Sequence, residues 1–73
     1  MRLQELMDEK NQEKLRDLMG ELIIKHNLTL QALAREAGIS YRALWSFYSA
    51  NKKGGPKTLI GVAHVLDKYG YKL

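Results

Sequence analysis

A chain of 73 residues makes one small domain; at that size folding buries only about 60% of the unfolded chain's surface, so there is little core to spare. The absence of cysteine excludes disulfide staples and thiolate metal sites, and no apolar run approaches the roughly 20 residues that span a membrane. The formal net charge is +4, and its distribution matters more than its size. Residues 1–27 hold five basic and six acidic side chains, a net of −1; residues 28–73 hold seven and two, a net of +5, and the two parts sum to +4. No acid stands between Glu36 and Asp67, where Arg42, Lys52, Lys53 and Lys57 lie. A stretch of one sign is what a polyanion-binding surface requires.

The first ten residues contain acids and no apolar signal core, so a cytoplasmic protein without a secretory leader is expected. Leu3, Leu6 and Met7 share one apolar face, and the seven polar residues Asp8 to Lys14 follow. At about 100° per residue, that face is turned roughly a quarter turn from Leu15, Leu18 and Leu22, so one straight helix cannot bury both. The expectation is an arm or short helix over 1–10, packed on a partner or a second copy, and a domain over 11–73. Helical spacing then runs over 12–25, with Asn11 as N-cap and with His26 and Asn27 at the end, where asparagine tolerates a left-handed backbone.

A second helix is predicted over 30–37, with Thr29 as N-cap. Leu30, Leu33, Ala34 and Ala37 fall on one side; Gln31, Ala32, Arg35 and Glu36 point away. Gly38 follows, where a left-handed residue ends a helix at least cost. Ser40 caps a third helix over 41–50. Leu44 and Phe47, with Ala43 beside them, point inward. Tyr41, Arg42, Trp45, Ser46 and Ser49 occupy the opposite arc, and Tyr48 lies at the border. An exposed face with a tryptophan, a tyrosine and an arginine asks for a partner. Residues 51–55 form a basic, glycine-rich loop. Pro56 suits the first position of a last helix, over 56–69, with Leu59, Ile60, Val62, Ala63, Leu66 and Tyr69 as its apolar face and Gly70 as its stop. The fold class is all-α, four to five helices, with no strand pattern of competing length.

Leu28-Thr29, Leu33-Ala34, Gly38-Ile39-Ser40 and Leu44 resemble the helix-turn-helix of the lambda-repressor-like, Cro/C1-type (XRE) regulators. Thr58-Leu59-Ile60, Ala63 and Leu66 resemble the helix that follows it in that family. The likeness covers about residues 14–70. LAREAGIS and GGPKTLIGVAHVL also look like small antidote proteins of addiction modules that share the fold. Leu30 stands where the family often has a phosphate-binding glutamine, which leaves that contact to Thr29 and the backbone N–H groups beside it.

The resemblance implies a sequence-specific regulator of double-stranded DNA, a repressor of phage or mobile-element type, with helix 41–50 in the major groove. Tyr41, Arg42, Trp45 and Ser46 are the expected base contacts; a guanidinium holds guanine O6 and N7 bidentately, and Trp45 suits a thymine methyl or a sugar. Thr29, Gln31, Ser40, Ser49, Asn51, Lys52, Lys53 and Lys57 are the expected backbone contacts. A homodimer on a two-fold site is expected because one small module covers little DNA. The alternative is an antitoxin or other protein-binding module, using Leu3, Leu6 and Met7 or the aromatic patch on a toxin partner.

Catalysis is not expected. His64 and Asp67 lie three apart on one helix, as surface pairs often do, and His26 is remote in sequence. Ser46 and Ser49 lack a base at suitable spacing, Gly54-Gly55 is a turn, and no metal-ligand or nucleotide motif occurs, so no cofactor or metal is expected.

Overall fold

The computed structural model describes residues 3–50 and 52–71 and, at Leu3, the backbone alone. Five helices follow in chain order: α1 (Leu3–Leu6), α2 (Glu9–His26), α3 (Leu30–Ala37), α4 (Tyr41–Tyr48) and α5 (Pro56–Lys68). There is no strand among the described residues, and none of these helices is long and apolar enough to cross a membrane.

The chain breaks between α1 and α2, at Met7 and Asp8, where the mismatch of apolar faces requires it. The break does not leave a loose arm. Leu6 is 3% exposed and joins the core, and α1 packs on α2 and α5. The expectation that Leu6 waits for a partner is therefore corrected: the single chain already covers it. Met7 is 48% exposed, and the side chain of Leu3 lies outside the described residues.

The N-cap of α2 is Asp8, not Asn11. The Asp8 carboxylate accepts from Lys10 N at 2.9 Å, and the Asp8 carbonyl from Gln12 N. Asn11 instead donates its side-chain amide to the Glu5 carbonyl at 2.6 Å. From Glu9 on, the polar run Asp8–Lys14 lies in α2, and one of its members, Gln12, is buried with both ends of its amide satisfied. Gln12, Leu15, Met19 and Leu22 form the buried stripe of α2, and Leu18 and Ile23 flank it half-buried. Asn27 closes α2 in the left-handed region at φ 51°.

Each of the two short helices is held by a side-chain cap. Thr29 Oγ1 accepts from Ala32 N and Ser40 Oγ from Ala43 N, both at 3.1 Å. Three residues join them. Gly38 takes φ 71°, and Ile39 donates back to the Ala34 carbonyl at 3.0 Å, turning the chain sharply toward α4. A side chain at Gly38 would meet strain rather than a clash, since nothing lies within 4 Å of a Cβ built there.

α5 runs through the middle of the packing and touches all four other helices. Its buried set is Thr58, Leu59, Gly61, Val62, Val65 and Leu66. One member of the predicted face gives way to a residue outside it: Ile60 is 52% exposed, and Val65 is 3% exposed. The helix ends at Lys68 with Tyr69 as its cap, and Gly70 follows at φ 89°. α3 and α5 approach closely at Gly61, where a Cβ would stand 2.6 Å from the Ala37 carbonyl oxygen. Ala34, expected at such a crossing, is buried at 3%. Half-buried Tyr71 packs against the core and donates its N–H to the Leu66 carbonyl.

Candidate nucleic-acid interface

α4 rests on the domain through two fully buried side chains, Leu44 and Phe47, three residues apart on one face. The rest of the helix is left to solvent or to its edges. Tyr41 and Trp45 are 46% and 45% exposed, Arg42 and Ser49 are exposed, and Ser46 is half-buried. Arg42 makes no ion pair among the described residues. The helix ends at Tyr48 rather than Ala50, with Ser49 as its C-cap. Tyr48 leans against α2, where a Cβ on Gly20 would come within 3.1 Å of its hydroxyl.

The last turn of α4 contains no basic residue, yet its carbonyls are not left bare. Arg16, from α2, reaches across with Nε donating to the Phe47 carbonyl at 2.7 Å and Nη2 to the Lys52 carbonyl at 2.9 Å. Its guanidinium carbon also lies 4.7 Å from the centroid of the Phe47 ring. A cation at a helix C-terminus meets the negative end of the helix dipole, and the planar fork spans two acceptors at once. Arg16 is thus spent on the scaffold and is withdrawn from the basic surface.

The loop after α4 is fastened at two further points. Lys52 N donates to the Ser46 carbonyl at 3.0 Å, and Gly54 N to Gln12 Oε1 at 3.1 Å. Gln12 Nε2 in turn donates to the Met7 carbonyl at 3.0 Å. Gly54 has to be small, because a Cβ there would lie 2.9 Å from the Phe47 ring. Lys52 and Lys53 are exposed on a loop backbone that α2 holds in place, and Lys57 is exposed in the first turn of α5. Lys53 reaches Glu9 at 3.5 Å with both side chains largely in water, a pairing that costs little to exchange. Thr29 and Ser40, whose oxygens accept as caps, keep a hydroxyl proton to donate, and Gln31 is exposed on the first turn of α3. Asn51 lies outside the described residues.

On α3, Glu36 does not simply face water. It accepts from Lys68 Nζ at 2.9 Å and from the Tyr69 hydroxyl at 3.0 and 3.2 Å, tying α3 to the end of α5. The hydrogen bond from Lys68, helped by that from Tyr69, holds the Glu36 carboxyl below its ordinary value against a partial opposing effect of burial. The same contacts push Lys68 and Tyr69 upward. The His26 ring lies against Tyr69 with centroids 5.0 Å apart. One of the two acids bordering the acid-free stretch is therefore neutralised within the fold.

Gln12, Arg16 and Gly61 position this surface, and the sequence reading passed over all three. Gln12 had a signal: it stands three residues before Leu15 and seven before Met19, on the buried stripe. Arg16 and Gly61 had none, because their partners lie 31 and 24 residues away. Among the described residues no group of three or more histidines or acids is placed to hold a metal ion. Comparison with protein-family models, curated proteins and solved structures finds no match to this chain.

Proposed function

We propose that this protein is a sequence-specific binder of double-stranded DNA, a transcriptional repressor acting in the cytoplasm as a homodimer. In this reading α3, the Gly38 turn and α4 form a helix-turn-helix, with α4 in the major groove. The observation that carries it is the division of α4. Leu44 and Phe47 anchor the helix, while Tyr41, Arg42 and Trp45 stand outward with no described partner, next to a loop whose backbone is fixed and whose lysines are exposed.

Each side chain then has a role. Arg42 reads a guanine with its two-pronged donor, and Tyr41, Trp45 and Ser46 meet neighbouring base edges. Lys52, Lys53 and Lys57, with Ser49 and Gln31, attract and register the phosphate backbone. Thr29 and Ser40 offer hydroxyl protons at the starts of α3 and α4, beside backbone N–H groups that favour an anion. The longest extent of the domain is 29 Å, so one copy suits one half-site, and two copies suit half-sites about 34 Å apart.

Selection of sites from random duplex DNA at a stated salt concentration tests the reading. The expected result is a two-fold consensus containing a guanine whose preference is lost in Arg42→Ala, by about 1–3 kcal/mol of discrimination. No enrichment would overturn it. The protein-partner alternative drew on Leu3, Leu6 and Met7 and on the aromatic patch, which the DNA reading also uses. With Leu6 spent in the core, DNA takes precedence.

A further inference from the structure

On the DNA-binding reading above, we infer that Tyr41 and Trp45 read the 5-methyl groups of thymines on either side of the guanine held by Arg42. Their exposure is the starting point. Five large hydrophobic side chains are exposed among the described residues, and two of them, Tyr41 and Trp45, share the outward face of α4. Between them Arg42 is the only charged side chain on that helix, so formal charge on this face is concentrated at one point. Trp45 can donate from its indole N–H and cannot accept. The ring surfaces need something apolar, and the apolar group that a base pair offers in the major groove is the thymine methyl.

Spacing makes the inference specific. Four residues along an α-helix advance about 6 Å, close to two steps of about 3.4 Å along a DNA strand. Arg42 falls between the two rings, about 1.5 Å beyond Tyr41 and about 4.5 Å before Trp45 along the helix axis. A helix lying along the groove therefore sets the two rings about two base pairs apart, with the Arg42 backbone between them along the axis. The helix that carries the rings is anchored, because Leu44 and Phe47 on its inner face are 1% exposed.

The test uses the full chain and the duplex that site selection yields. Each thymine in turn is replaced by deoxyuridine, which removes the methyl and leaves every hydrogen-bonding group in place. Losing one buried methyl weakens binding by about fourfold. The expected result is such a loss at two thymines, one on each side of the guanine and within about two base pairs of it. One of these losses disappears in Trp45→Ala and the other in Tyr41→Ala. A duplex that binds tightly yet is indifferent to deoxyuridine at every position overturns the inference while leaving DNA binding intact, as does a selected site with no thymine in that window. Losses of unchanged size in both variants also overturn it. A scan on the unaltered protein that shows no such loss overturns the inference without either variant, and where an alanine variant folds poorly Tyr41→Leu or Trp45→Leu takes its place. Failure to bind any duplex overturns the DNA reading and this inference with it.

Discussion

Replacing Gly61 by alanine probes the contact that sets the position of α3 against α5. On helix propensity alone, alanine in the interior of α5 is favoured by about 1 kcal/mol. The crossing opposes this. The new Cβ would stand 2.6 Å from the Ala37 carbonyl oxygen, 3.1 Å from Ala37 Cβ and 3.3 Å from Ile39 Cγ2, whereas ordinary contact begins at 3.4 Å. The nearest atom is about 0.8 Å too close, and it belongs to backbone locked by the Gly38 turn. Overpacking of this kind costs typically 1–3 kcal/mol, here toward the upper end because backbone cannot rotate away. The expected net loss is about 1–2 kcal/mol, with Tm falling roughly 4–8 °C for each kcal/mol in a domain of this size. Gly20→Ala is the matched control: its Cβ meets only the Tyr48 hydroxyl, at 3.1 Å, the far end of a side chain. That variant should match or exceed the parent by up to about 1 kcal/mol. Thermal and urea unfolding followed by helical circular dichroism give both values. A Gly61→Ala protein as stable as the parent, or an equal loss in Gly20→Ala, would refute the close-approach argument.

Arg16→Met should lower stability by about 2 kcal/mol, since it removes two charge-assisted hydrogen bonds to the end of α4 and the loop. Arg16→Lys should recover only part of this, because one ammonium cannot span both carbonyls; an unchanged urea midpoint in Arg16→Met would contradict that account. The Glu36 carboxyl, held low by Lys68 and Tyr69, contributes stability that is fully present above the ordinary glutamate range and is lost as pH falls through its lowered value. Glu36→Gln should therefore be less stable than the parent near neutral pH, and the gap should close on acidification; a gap that is constant with pH would show that the ionised carboxylate contributes nothing. For DNA binding, Lys53→Ala should weaken all sequences alike and reduce the salt slope by about one. Glu9→Gln, which removes the exposed partner of Lys53, should leave that slope no smaller than the parent's; a lower slope would count against Lys53 as a phosphate contact.

Much of this architecture can be read locally. Thr29, Gly38 and Ser40 act on backbone within three or four residues of themselves, so the two short helices and the turn follow from nearby spacing. Asn27 and Gly70 likewise end their helices where their backbone freedom allows. Leu44 and Phe47 mark the inner face of α4 by period alone, and Tyr41, Arg42 and Trp45 the outer one. The mismatch between the Leu3/Leu6/Met7 face and the Leu15/Leu18/Leu22 face requires a break, and the break is there.

Tertiary packing decided what those local signals could not. Periodicity shows which side of a helix is apolar, not what will cover it, so it could not say that α5 rather than a second chain takes Leu6. A polar side chain carries no outward sign of partners that are distant in the chain, so Arg16 resembled a surface residue until Phe47 and Lys52 came within hydrogen-bonding reach. The exchange of Ile60 for Val65 has the same origin, because the width of a buried stripe is set by the neighbours that press on it. Composition and local pattern determined an all-α chain, the Thr29 and Ser40 caps and an outward row of Tyr41, Arg42 and Trp45; only the long-range contacts of α2 and α5 decided how firmly that row is held.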